Sequence, residues 1–187
     1  MSISRNPLLA ILVSASVSMG SPVLPEGWML PVHSNFDGAW RKTSPSKYLK
    51  LGADLDCDGN VDSVFILQPV KGTGMGLFAF MQDSTGAFKA KLLFDSRKDG
   101  ADIKGRSEKE VNKVQLWYRL LFGIKKVERG IYPTACGRGY MECGKNEKRK
   151  VEMACGGIDF FPFEEGGNTG FYWDRSRKKF LSAVMGD

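Results

Sequence analysis

Residues 52–67 read GADLDCDGNVDSVFIL, and the fold turns on them: Asp54, Asp56, Asp58 and Asp62 stand close together and run straight into the apolar segment SVFIL. Like charges at that spacing repel one another, so a chain that crowds them beside its own core is expected to hold a cation among them. A hard cation such as Ca²⁺ takes several oxygen ligands, and the D-x-D-x-D-G-x-x-D spacing can wrap one. Asp54, Asp56 and Asp58 supply the first ligands, Gly59 permits the sharp turn, Asn60 offers its backbone carbonyl, and Asp62 closes the set. The place that a bidentate glutamate fills in an EF-hand is taken here by Phe65, so the exiting element is a strand and not a helix. Calcium is therefore the expected cofactor, with a structural role: it cancels the repulsion and favours the folded state by mass action.

Working outward, the same strand chemistry recurs. DSVFILQPV, GLFAFMQD, FKAKLLFD, KVEMAC, IDFFPF, GFYWD and FLSAV are rich in Phe, Val, Ile and Tyr, and most are bounded by Gly, Asp, Asn or Ser. In KVEMAC, Val151, Met153 and Cys155 alternate with Glu152 and Ala154, the pattern of a sheet with one wet face. The segment SEKEVNKVQLWYRLLFGIKK departs from this. Val111, Val114, Trp117, Tyr118 and Leu121 fit helical spacing, although VQLWYRLLF also reads as a buried strand. Shifted by 92 positions, FMQDSTGAFKAKLLFD lies over YWDRSRKKFLSAVMGD, matching Phe80 with Tyr172 and Phe88 with Phe180. Both copies read as strand, tight loop, strand. The expected class is all-β: antiparallel sheets of hairpins and meanders, as an incomplete propeller or a sandwich, with one short helix.

The first residues bear on compartment. Arg5 is the sole charged side chain before PLLAILVSASVSMG, the charged, apolar, small-residue order of a secretory signal peptide over residues 1–20. The apolar run is too short for a spanning helix. SPVLPEGWMLPVHSNFDGAW then carries three prolines and reads as an extended arm, residues 21–46, ahead of a single β domain over 47–187 with its calcium loop at 54–62. The formal charge is +6 and the pI about 9.1. A basic exported domain meets envelope polymers or acidic proteins; nucleic acid is not an expected partner, nor is stable membrane insertion.

Four cysteines entering an oxidising compartment are expected to pair. Cys136 and Cys143 bracket GRGYME, whose glycines let a short loop fold back, and form the first expected bridge. Cys57 and Cys155 remain, with the connectivity open. Zinc fits poorly, since the spacing is not C-x2-C and His33, the sole histidine, is far away. The chain carries no nucleophile elbow, no H-E-x-x-H and no phosphate loop, and KGTGMG lacks the ending of one. Glu164 and Glu165 with Asp159 are a weak imitation of a glycosidase pair, because adjacent strand residues point apart. An enzyme is not expected.

Two resemblances add to this reading. The acidic loop is similar to the calcium loops of bacterial VCBS and FG-GAP-type β repeats, which sit between strands. GIYPTACGRGYMEC, followed by IDFFPFEEGGNTGFYWDRSRKKFLSAVMGD, resembles the end of a group of small exported bacterial proteins. Some of these are periplasmic immunity proteins against peptidoglycan-cleaving effectors of antibacterial type IV secretion systems, and they are similar to invertebrate-type lysozyme inhibitors of partial propeller-like fold. The chain departs from the group in Cys57, Cys155 and the AVMGD ending.

The resemblance implies a periplasmic or secreted protein whose partner is a lysozyme-like effector or another envelope hydrolase. Protruding loops would make the contact: Arg138 and Tyr140 in CGRGYMEC, and Tyr172, Trp173, Arg175 and Arg177 at the YWDRSRKK turn. An envelope carbohydrate-binding module is the first rival and an unrecognised hydrolase the second. Each of those aromatics has a plainer reading, as cover for the disulfide or as core.

Overall fold

The computed structural model describes residues 20–32, 47–99, 107, 109–113, 122–163 and 167–186. The signal segment before Gly20, the arm beyond residue 32, His33, Glu164 and Glu165 lie outside the described residues, as do Val114, Trp117, Tyr118 and Leu121.

The strands are β1 (Trp28–Met29), β2 (Lys50–Ala53), β3 (Asp62–Pro69), β4 (Gly76–Gln82), β5 (Phe88–Asp95), β6 (Phe122–Val127), β7 (Gly130–Pro133), β8 (Lys150–Met153), β9 (Gly157–Pro162), β10 (Thr169–Asp174) and β11 (Lys179–Val184). All the strand ladders are antiparallel. One sheet runs β1-β3-β4-β5, with β2 sharing the β3 edge, and a second runs β11-β10-β9-β6. β7 and β8 form a separate ribbon. The protein is all-β, with a helical turn over 109–113.

The main core lies between the two large sheets. Alternation on β3 and β4 sends Val64, Ile66, Leu77, Ala79 and Met81 inward, where they meet Ile124, Ile158, Phe160 and Phe171 of the second sheet. Each such side chain contributes about 1.5–3 kcal/mol on burial. The opposite faces are also covered, which is why β3 and β4 read as continuous apolar runs. Phe65, Leu67, Phe78 and Phe80 pack with Leu24, Trp28 and Phe88 on the outside of the first sheet. On the outside of the second, Tyr172, Leu181 and Ala183 pack against Val151 and Met153 of the ribbon. The backbone links the sheets as well: Ile124 donates its N–H to Tyr48 O, and Ile66 donates to Leu49 O, both at 2.9 Å.

Three expectations change. The arm is not merely extended, because Trp28 and Met29 pair with Pro69 and Gln68 as β1. The Trp28 ring packs edge-on to Phe78 with centroids 5.0 Å apart, under the Arg97 guanidinium. Gly76 makes room for it, since a Cβ there would stand 2.7 Å from the indole. Of the segment 107–126, read as helix or buried strand, residues 109–113 are helical, and FGIKK at its end is strand β6. Phe122 and Ile124 point into the core and Lys125 and Lys126 are exposed, so pairing with β9 outweighs local periodicity. The repeat echo holds for the first strand and slips in the second. Ala79 and Phe171 both face the main core, and Phe80 and Tyr172 both face away. The turn then differs by one residue: Met81 pairs with Lys89, whereas Trp173 pairs with Phe180. One residue is enough to exchange the faces of the strand that follows.

Candidate metal centre and surrounding loops

The acidic segment is the loop of the β2–β3 hairpin, closed by the Ala53–Asp62 pair. Gly59 sits at φ 90° and Cys57 at φ 61°. The first is easy for glycine; the second is a left-handed backbone that a cysteine adopts only when its surroundings impose it. The surroundings here include a covalent tie: Cys57 is bonded to Cys155, between β8 and β9, across a sequence separation of 98. The loop is thus anchored at its base by the sheet and at its tip by the second half of the chain.

Within this frame Asp54, Asp56 and Asp58 each bring a carboxylate oxygen to one place, all within 4.8 Å of one another. Asp54 accepts the backbone N–H groups of Asp58 and Gly59 at 3.1 and 3.0 Å, and Asp58 accepts from the Asn60 backbone and side-chain amides at 2.8 and 2.9 Å. These bonds set the loop's curvature and leave lone pairs free, since a carboxylate accepts about four hydrogen bonds. Asp56 differs: its Oδ1 is buried and has no hydrogen-bond partner. Burial, then the charge of Asp58 and of Asp54, pushes its pKa above the usual carboxylate range, against the backbone N–H groups of Asp58 and of Asp56 itself, which lower it. A buried, unpaired oxygen facing like charges is costly unless a cation satisfies it. An all-oxygen donor set of this kind fits a hard divalent ion such as calcium.

Asp62 stands apart from that triad. It begins β3 on the same face as Val64 and Ile66, and it is fully buried. Its two oxygens accept the N–H of Leu55 and of Gln82, each at 2.8 Å, which ties the loop to β4. Burial raises its pKa to about 6 although both amides pull it down, and Asp56 and Asp58 add to the rise. Asn60 is half-buried and hydrogen-bonded to Asp58 through both amides.

The Cys136–Cys143 bridge is present, with Cα atoms 4.9 Å apart. Its loop exposes Arg138, Tyr140 and Met141. Across from it the β10–β11 turn exposes Arg175 and Arg177, with Asp174 accepting the N–H of Ser176 and Arg177 at 2.9 and 3.0 Å. Trp173 is half-buried against Phe180 at the main core, centroids 5.1 Å apart, and Tyr172 is buried against the ribbon. Of the six residues named for partner contact, Arg138, Tyr140, Arg175 and Arg177 are therefore the exposed ones. Sequence reading marks FLSAV, which is β11, as a strand, but its position at a sheet edge depends on strand order and leaves no local mark.

No protein-family model, curated protein or solved structure matches the chain. Two disulfides fit an oxidising environment, and among the described residues no helix is long and apolar enough to cross a membrane.

Proposed function

We propose that this chain is an exported, calcium-stabilised binding protein of the periplasm or cell exterior that recognises and neutralises a peptidoglycan-cleaving enzyme. The observation that supports binding is the placement of two exposed loops side by side: 174–179, the β10–β11 turn of a sheet buried on both faces, and 136–143, which follows β7 of the ribbon and is tied to β11 by the Ala135 N–H to Val184 O bond. Loops rigidly held in this way lose little entropy on docking. The observation that supports calcium is the convergence of carboxylate oxygens from Asp54, Asp56 and Asp58, together with a buried Asp56 Oδ1 that has no hydrogen-bond partner. The ion would be held by this triad and by the Asn60 carbonyl, and it would supply charge neutralisation rather than chemistry.

The function is tested by adding the mature protein to lysozyme-type muramidases and amidases clearing a peptidoglycan suspension. Stoichiometric inhibition of one class is the expected result. Retention on insoluble peptidoglycan with no inhibition would replace this reading by a carbohydrate-binding module, and release of soluble fragments by the protein alone would replace it by a hydrolase. The metal is tested separately. For a dissociation constant of about 10⁻⁴–10⁻³ M, millimolar calcium stabilises by about 1 kcal/mol. Calcium is therefore expected to raise the melting temperature by a few degrees over chelator. Asp56→Ala should remove that rise; an equal rise in the variant counts against the site.

A further inference from the structure

β11 is the last strand of its sheet. Val184 O accepts the N–H of Ala135 at 2.8 Å, so Val184 turns its polar backbone away from β10. Alternation along an antiparallel strand turns Ser182 and Phe180 the same way. Among the described residues nothing hydrogen-bonds the outward N–H and C=O groups of Phe180 and Ser182. They open onto a groove of about 530 Å³, lined also by Thr134, Met141 and Lys148 of the disulfide-bearing segment and by Arg177. Tyr172 lines it too, and no described residue hydrogen-bonds its hydroxyl.

The charge around this groove is one-sided. Residues 144–150 and 174–179 carry eight basic side chains against Glu147 and Asp174. An edge strand with free donors and acceptors recognises an extended backbone, and a positive rim selects acidic side chains on it. A second copy of this chain would bring the same positive turn to the same edge, and like charge opposes that pairing.

We propose that the partner engages here through an extended acidic segment, added to β11 as a further strand between the Cys136–Cys143 loop and the β10–β11 turn. The proposal deepens the binding-protein reading and rests on it for the existence of a protein partner. Main-chain bonds to Phe180 and Ser182 supply the register, Lys148 and Arg177 meet the carboxylates, and the Tyr172 hydroxyl offers one more donor.

The probe is a fluorescein-labelled peptide of alternating Glu and Val, compared with its Lys and Val counterpart by anisotropy. Saturable binding of the acidic peptide alone is expected, with the largest amide shifts in nuclear magnetic resonance at Phe180 and Ser182. Ser182→Pro removes an outward donor opposite Phe171 without touching the β10 ladder, a placement that edge strands tolerate. It should weaken binding about tenfold or more. Combined Lys148→Glu and Arg177→Glu should reverse the preference toward the basic peptide. The proposal is overturned if neither peptide binds, if Ser182→Pro binds as well as the unaltered chain, or if the shifted amides lie elsewhere. A dimer in sedimentation that Ser182→Pro dissolves would also overturn it, by assigning the edge to a second copy. Enzyme inhibition that survives Ser182→Pro would sink this site and spare the proposed function; peptide binding lost in Ser182→Pro, with no enzyme inhibited, would do the reverse.

Discussion

Replacing Cys57 and Cys155 together by serine is expected to lower the unfolding free energy by about 4–5 kcal/mol, the largest effect of any change considered for this protein. The bridge joins residues separated by 98 positions, so its loss restores a large loop entropy to the unfolded chain. The native state loses as well. Cys57 holds a left-handed backbone at the tip of the acidic loop, and Cys155 lies at the turn leading into β9. The bond therefore ties the loop that carries the acidic triad to the second sheet. Urea unfolding reads the result as a lower midpoint, and calcium affinity should fall in the same variant because the loop tip is released. The Cys136–Cys143 pair provides the comparison: its separation is only 7, and the same loop-entropy relation gives about 2.5 kcal/mol. Equal losses from the two double variants would mean that the long bridge constrains nothing beyond its own neighbourhood.

The second large effect is a dependence on pH that runs opposite to ordinary acid denaturation. Asp62 is buried and its pKa is raised to about 6, against 3.8 for an ordinary aspartate. Below both values folded and unfolded chains each carry the proton. Between them only the folded chain does, so acid favours folding there. Above the folded value the buried carboxylate is ionised and the advantage is gone. The metal-free protein is thus expected to lose about 2–3 kcal/mol of stability as pH rises from 4 to 7. Asp62→Asn keeps one acceptor, turns an N–H₂ toward a backbone donor, and should be less stable overall while flattening this profile. Calcium on the neighbouring triad favours the ionised form and should flatten it too. A metal-free profile that rises with pH across this window would show that the two amide bonds from Leu55 and Gln82 outweigh burial. Asp95 works with the opposite sign and mainly at and below the acid end of this window. Burial alone would raise its pKa, yet the bonds and charge of Arg97 bring it below the ordinary value, so its stabilisation is lost only at lower pH.

The placement of Asp62 shows what could and could not be read in advance. Its membership of the D-x-D-x-D-G-x-x-D pattern marks it as a ligand, while its spacing to Val64 and Ile66 marks it as core-facing. Both signals are in the sequence. The structure gives its oxygens to two backbone amides and gathers Asp54, Asp56 and Asp58 without it. The missed strands have similar causes. β2 is a short KLGA with little character of its own, and it forms because Leu51 and Ala53 pack on a core built by others. β6 hides behind a helical period, yet Gly123 sits where a Cβ would clash with Phe163, a constraint visible only once β9 lies alongside.

The sequence by itself determined the class of structure and the loop. Short apolar runs bounded by turn residues dictate strands, and the spacing of aspartates around Gly59 dictates a turn rich in carboxylates, because both depend on contacts a few residues apart. Tertiary structure alone decided that Cys57 reaches Cys155, that Trp28 closes the outer face of the first sheet, and that β11 lies at an open edge beside the disulfide loop. Those outcomes depend on which distant segments lie side by side, and no local pattern carries that information.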